Sequence, residues 1–209
     1  MRIESLKTTP DRAGCYLVKF DDGSTMRLYR QTVEDCGLYT GKELSDGEMD
    51  ALREHAGRIS AKMRAVRIVS ASSVSKRDLE QRLIHKGEDP DQAREAVEWM
   101  TDLDLLDDSR VAEQVVARCI ARGYGPARAR QALYEKKIPK QYWDAALADY
   151  PDQQEEIMDF FRGRLGDDYD ARDVKRAIDA LMRRGHSYGT IRRAWNQLSL
   201  DSEQFPEED

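Results

Sequence analysis

The chain has 209 residues, 40% apolar and 35% charged, with 34 Lys and Arg against 40 Asp and Glu. That leaves enough Leu, Ile, Val and aromatic side chains to close small cores, so the composition excludes a disordered chain. No run approaches the ~18 uncharged apolar residues of a membrane span, which excludes an integral helical membrane protein.

Charge is unevenly placed. Five of the acidic residues fall in 201–209, so the net charge of −6 is largely that of the tail, read as a solvated, frayed end. Residues 107–149 carry eight basic against six acidic side chains. A near-neutral body with a mildly basic middle argues against a protein that wraps free nucleic acid, yet leaves room for a local anion-binding face. Met1-Arg2-Ile3-Glu4 lacks the apolar core of a secretory signal. The three cysteines, Cys15, Cys36 and Cys119, are odd in number and widely spaced, which disfavours a disulfide scaffold or a zinc cluster. The expected compartment is a reducing cytoplasm.

The first forty or so residues read as β. Cys15 to Phe20 is aromatic and β-branched, and Asp22-Gly23 is a hairpin signal because both central turn positions tolerate positive φ. Thr25 to Tyr29 then alternates, and Arg2 to Lys7 supplies a third strand. Such a sheet is marginal alone and needs a helix to pack on. A short helix over Gln31 to Cys36 closes at Gly37.

Ser45 and Glu48 have capping-box spacing at the start of a long helix. Met49, Leu52, Ala56, Ile59, Met63 and Val66 form one apolar stripe along it, with Gly57 as a point of bending or splitting. Helices and short turns follow to residue 198. Ser75–Gly87 aligns on Gly125–Lys137 and again on a third copy ending at Gly185, so that Leu83, Leu133 and Leu181 coincide. In the next helix Ala93, Trp143 and Ile191 coincide, then Val97, Leu147 and Trp195. The second copy opens with a helix carrying Val111, Ala112, Val115, Val116, Cys119 and Ile120, the third with one carrying Ile157, Phe161 and Leu165. Asp89-Pro90, Gly125-Pro126 and Ile138-Pro139 place Pro at a first helical position, and Gly87, Gly123, Gly166 and Gly185 stand where helices stop.

A unit of three helices in roughly 50 residues buries little by itself, so neighbours must stack. The expected fold is mainly α: an elongated array of three tandem three-helix repeats with a small N-terminal β-sheet or hairpin appendage. The expected divisions are the appendage at 1–44, a linking helix and first repeat at 45–106, a second repeat at 107–150, a third at 151–200 and the acidic tail at 201–209.

Leu105-Leu106-Asp107-Asp108-Ser109-Arg110-Val111-Ala112, followed by Arg122-Gly123-Tyr124-Gly125-Pro126, resembles the RecX family of bacterial recombination regulators. That family has a Leu-Asp-Asp stretch with Arg and an aromatic-Ala pair, then a Gly-aromatic-Gly-Pro turn into a basic helix. Ser75–Gly87 resembles its first repeat. Val111 replaces the usual aromatic, and Lys137 replaces the Gly expected ahead of Ile138. The resemblance covers about Ser45 to Leu198. It implies a negative modulator of RecA in DNA repair, homologous recombination and the SOS response. Such a protein binds the RecA filament on single-stranded DNA and suppresses strand exchange, ATP hydrolysis and the coprotease role, by docking in the filament groove and by capping or destabilising it. Weak direct DNA binding is a further expectation. Nothing in the pattern demands an oligomer, and an array with polar ends is expected to be a monomer.

For the contact surface the sequence favours the basic face of the middle repeat: Arg118, Arg122, Tyr124, Arg128, Arg130, Lys136, Lys137 and Lys140. Arg offers a planar fork for carboxylate or phosphate. Against this, each is an ordinary solvated helix position, and Arg118 and Lys136 also complement helix C-termini. Arg172, Lys175, Arg176, Arg183, Arg184, Arg192 and Arg193 form a second candidate face, with Asp167, Asp168, Asp170 and Asp173 beside it as local counter-charge. Trp99, Trp143 and Trp195 read as packing residues.

No catalytic pattern is present. His55, His85 and His186 lack metal-ligand spacing, no cofactor motif occurs, and the Gly123-Tyr124-Gly125 segment follows a helix rather than the strand of a phosphate loop. The reading is a protein without enzymatic activity. Two alternatives stay open: a helix-turn-helix-like DNA-binding protein, and a helical adaptor with no nucleic acid nearby.

Overall fold

The computed structural model describes residues 1–9, 14–166, 169–198 and 205. Strands β1 (Ile3–Thr8), β2 (Cys15–Phe20) and β3 (Thr25–Tyr29) form an antiparallel sheet in that order. The hairpin between β2 and β3 differs in detail from the sequence expectation. Only Gly23 takes a positive φ, +84°, and its amide bonds the Phe20 carbonyl at 3.0 Å. The Asp22 carboxylate accepts the Ser24 amide at 2.8 Å, which holds Asp22 at ordinary φ and makes a three-residue loop ending in a left-handed glycine.

The inner face of this sheet, with Ile3, Val18, Phe20 and Leu28, packs against Val33 of α1 (Arg30–Asp35) and against Met49 and Leu52 of α2 (Asp46–Ala71). The sheet therefore buries the first half of the long helix. That helix opens with the expected capping box: Ser45 Oγ accepts the Glu48 amide at 3.3 Å, and the Glu48 carboxylate accepts the Ser45 amide at 2.8 Å. The Ser45 amide and, next, the Ser45 hydroxyl, which donates to the same carboxylate at 2.8 Å, hold the Glu48 carboxyl below its ordinary value.

The helix is neither split nor faced by one straight stripe. It runs unbroken through Gly57, and its buried residues are Met49, Leu52, Ile59, Ala61 and Ala65, while Met63 is exposed. The reason is that the two halves serve different cores: Met49 and Leu52 face the sheet, and Ala61 and Ala65 face α3 (Lys76–His85) and α4 (Pro90–Asp102). Gly57 lies near the changeover, where the end of the Gln92 side chain of α4 comes within 2.2 Å of where a β-carbon would be.

Three-helix units recur along the chain. The first is the second half of α2 with α3 and α4. The second is α5 (Asp108–Ala121), α6 (Pro126–Glu135) and, after a 3-10 turn over Lys140–Tyr142, the short α7 (Trp143–Leu147). The third is α8 (Gln154–Arg164), α9 (Ala171–Arg183) and α10 (Tyr188–Gln197). The aligned Leu83, Leu133 and Leu181 are buried in their respective cores. Pro90 and Pro126 open α4 and α6 as expected, whereas Pro139 precedes only the 3-10 turn. Gly87, Gly123 and Gly185 take positive φ at helix ends; Gly166 does not, and α8 ends two residues before it.

By packing, the chain divides into two compact units, Met1–Asp107 and Asp108–Asp209. Asp167 and Asp168 lie outside the described residues, as does the tail apart from Phe205. Phe205 is not a frayed position. It is half-buried, its ring 5.4 Å from that of Tyr188 and 5.5 Å from that of Trp195.

Candidate interaction surface

The turn after α5 joins the second and third helical units. A helix end leaves carbonyls unpaired, and here side chains from outside the helix take them up. The Tyr150 hydroxyl donates to the Tyr124 carbonyl at 2.5 Å, His186 Nε2 to that of Gly123 at 3.0 Å, and Gln153 Nε2 to that of Ile120 at 3.4 Å. The third unit also accepts in return: the Gly125 amide donates to the Arg184 carbonyl at 2.9 Å and the Ala127 amide to that of Gly185 at 3.2 Å. Gly123-Tyr124-Gly125-Pro126 is thus a joint built on backbone-to-backbone approach, as well as the helix connection the sequence suggested.

Burial shapes the chemistry of this joint. His186 is buried, and desolvation holds its imidazole below the ordinary value, against the favourable bond to Gly123. Because the Gly123 carbonyl only accepts, Nε2 carries the proton. The Tyr150 phenol is pushed up to about 12 by burial and, next, by the nearby Cys119. Cys119 is buried in α5 and its thiol is raised by desolvation, although Arg128 and Arg122 pull the other way. It is therefore a packing residue with little thiolate character.

The second unit carries the basic side chains the sequence singled out. Arg118, Arg122, Arg130 and Lys140 are exposed and, among the described residues, have no carboxylate partner. Arg128 is half-buried and pairs with Glu135 at 3.1 Å, an interaction that, after the Gln131 bond, holds the Glu135 carboxyl low. Lys136 and Lys137 are half-buried and both have partners. Tyr124 is half-buried, its carbonyl engaged by Tyr150. Arg130 lines a cavity of about 430 Å3 together with Pro126, Gln153, His186 and Thr190, so it faces the groove between the two units' helices.

In the third unit, Arg172, Lys175, Arg183 and Arg192 are exposed without a carboxylate partner among the described residues. Arg176 pairs with Asp173 at 3.3 Å, Arg193 donates to the Thr190 hydroxyl at 3.4 Å, and Arg184 lies 4.8 Å over the Phe160 ring. Asp170 acts first as a cap: its carboxylate accepts the amides of Asp173 and Arg172 at the start of α9, and these bonds, with the Arg172 charge beside it, hold it below its ordinary value. Trp195 is buried edge-on against Phe161 at 5.1 Å, and Trp143 donates from Nε1 to the Ile138 carbonyl at 3.0 Å.

Sequence reasoning did not find a basic cluster in the first unit. Arg64, Arg67, Arg82 and Lys86 line a cavity of about 390 Å3 between α2 and the end of α3. The signal was present as Arg64 and Arg67 at i, i+3 and Arg82 and Lys86 at i, i+4, one helical face each.

The chain resembles known proteins along most of its length. The family model for the RecX second three-helix domain matches residues 107–147. The regulatory protein RecX of Xanthomonas axonopodis pv. citri is 34% identical over 134 residues, covering 63% of this chain and 83% of that protein. The regulatory protein RecX of Stenotrophomonas maltophilia is 32% identical over 134 residues, covering 63% and 82%. A crystal structure of regulatory protein RecX superposes with a TM-score of 0.63 at 20% identity, covering 93% of this chain and 98% of the other. That of RecX from Lactobacillus salivarius superposes with a TM-score of 0.61 at 22% identity, covering 69% and 98%. At these identities the solved structures speak to the fold, a mainly helical array of three-helix units with a small N-terminal sheet.

Proposed function

This chain belongs to the RecX family, and on that premise we propose that it is a negative regulator of RecA, acting in the cytoplasm on the RecA filament assembled on single-stranded DNA. It suppresses the filament's recombinase, ATPase and coprotease activities and performs no catalysis of its own. The observation that carries the reading is a coincidence of place. The family model matches 107–147, and the same repeat exposes Arg118, Arg122, Arg130 and Lys140, which have no carboxylate partner among the described residues.

The physics of recognition fits such a partner. A filament presents protein carboxylates and DNA phosphates together, and guanidinium forks grip both. A chain with net charge −6 binds free DNA at most weakly, because the polyelectrolyte attraction that drives non-specific binding is small overall. The exposed cations then act where a filament surface brings complementary charge close, giving specificity and fast docking rather than bulk affinity. Arg128, Lys136, Lys137 and Tyr124 complete this candidate face, and the basic side chains of α9 and α10 are a second one.

The test is to add the protein at a substoichiometric ratio to RecA filaments preformed on single-stranded DNA and to follow ATP hydrolysis. Loss of hydrolysis well below one protein per RecA is the expected result and favours capping or propagated disassembly. Unchanged hydrolysis in excess protein would overturn the proposal.

A further inference from the structure

The cleft between the second half of α2 and the end of α3 points to a binding site distinct from the basic face of the second repeat. Its cavity, about 390 Å3, is lined by Arg64, Arg67, Arg82 and Lys86, with Ser72 at its edge. We propose that this cleft binds a phosphate group.

The three guanidiniums are held in place, while the Lys86 ammonium is exposed. Arg64 Nε lies 2.7 Å from the carboxylate of Glu88, and Arg64 Nη1 donates to the Lys86 carbonyl at 2.9 Å. The Glu88 side chain, 7% exposed, is itself fixed by the Ser60 hydroxyl at 3.0 Å. Arg82 Nη2 lies 2.8 Å from the carboxylate of Asp78, which is 8% exposed. The Arg67 guanidinium lies 6.0 Å from the Tyr29 ring centroid, bonds the Tyr29 hydroxyl, and donates from Nε to the Met63 carbonyl at 3.3 Å. A ligand entering such a site does not have to order these side chains first, which removes part of the cost of binding.

Counting charge shows why the ligand is an anion. Four cations meet two carboxylates, since Tyr29 gives Arg67 a neutral partner and the Lys86 ammonium has no carboxylate partner among the described residues. Each guanidinium has five N–H donors and spends only some of them on the contacts above. The C-terminal end of α3 accounts for part of the cluster, with Arg82 in its last turn, Lys86 as its C-cap and Arg64 on the Lys86 carbonyl, but not for Arg67, since the last turn of α2 holds no basic residue. Geometry selects the class of anion. Three planar forks from two helices can engage a tetrahedral group with several oxygens from several sides, whereas a carboxylate offers two oxygens in one plane.

The phosphate can come from a nucleic-acid backbone or from a free phosphate compound, and the argument rests on the first unit alone, not on RecA. The experiment therefore uses the full chain without RecA and compares it with R67Q/K86Q, which removes two cations without stranding either buried carboxylate. Three probes are applied: a labelled single-stranded oligothymidylate, inorganic phosphate and oligoglutamate. If the source is a nucleic-acid backbone, the variant keeps its melting temperature but loses oligothymidylate affinity by about fivefold or more. Its log–log salt slope also becomes shallower by about 1.4, the loss of two single-strand phosphate contacts. If the source is a free phosphate compound, inorganic phosphate raises the melting temperature of the parent chain but not of the variant, while oligothymidylate binds both equally. Either result supports a phosphate site. The proposal is overturned if no phosphate probe distinguishes the two chains, or if only oligoglutamate does.

Discussion

Gly125 and Gly185 meet backbone to backbone: a β-carbon on Gly125 would stand 2.2 Å from the Gly185 carbonyl oxygen, and one on Gly185 would stand 2.3 Å from the Arg128 amide nitrogen. Neither neighbour is a flexible side-chain tip, so the second and third repeats must shift to admit a methyl group. Gly125→Ala should therefore destabilise the 108–209 unit by about 1–3 kcal/mol, the usual range for overpacking. Gly185→Ala should cost more, because Gly185 also sits at φ +89°. Urea unfolding followed by tryptophan fluorescence reads this, since Trp143 and Trp195 both lie in that unit. An unchanged midpoint in both variants would contradict the joint.

Lys137 takes φ +55° at the helix end where the other two repeats carry Gly87 and Gly185, both at +89°. A side chain in the left-handed region costs roughly 1–2 kcal/mol, partly offset by the greater chain entropy of glycine when unfolded. Lys137→Gly should accordingly raise stability by about 0.5–1 kcal/mol, a gain of a few degrees in Tm by calorimetry. A lower Tm would show that the Lys137 side chain contributes more than its backbone strain costs.

The joint should sense acid through His186. Burial depresses the folded-state pKa of this imidazole, and Arg184 adds to the effect. The stabilisation it confers is therefore fully present above the unfolded value near 6.5 and is lost as pH falls through the lower folded value, because the unfolded chain takes up the proton first. Unfolding free energies at pH 7.5 and pH 5.5 should differ more for the parent chain than for His186→Gln, whose amide keeps a donor for the Gly123 carbonyl. Equal differences would remove His186 as the source.

Tyr150→Phe deletes the hydroxyl that donates to the Tyr124 carbonyl. The expected loss is about 1 kcal/mol, the net worth of one hydrogen bond plus a carbonyl left short of a partner. An ultraviolet titration should also lose one phenol that ionises late, near 12. If every tyrosine of the parent chain titrates in the ordinary range, the buried hydrogen bond is not formed.

Local signals made most of the fold legible. Ser45 caps α2 and Pro90 and Pro126 open α4 and α6, and the aligned Leu83, Leu133 and Leu181 fill equivalent core positions. Sequence failed where the answer depends on what lies on the far side. The stripe on α2 turns after Ile59 because its second half meets α3 and α4 rather than the sheet, and no periodicity within one helix encodes a change of partner. The helix in α7 is short, and Pro139 starts a 3-10 turn, although the repeat alignment suggests a full helix. Of the candidate surface, the residue types were legible and their pairing was not. Arg128 and Arg130, two apart on α6, diverge, one to Glu135 and the other to the groove beside His186.

The most direct measurement is binding of the full chain to RecA filaments assembled on single-stranded DNA, compared with a variant carrying R118Q, R122Q, R130Q and K140Q. These four side chains are exposed and hold no carboxylate among the described residues, so the variant should melt where the parent does. The account predicts tight binding by the parent chain and a loss of about tenfold or more in the variant, with the largest part of the loss at low salt. Equal binding by the two chains, or no filament binding by the parent, would contradict it.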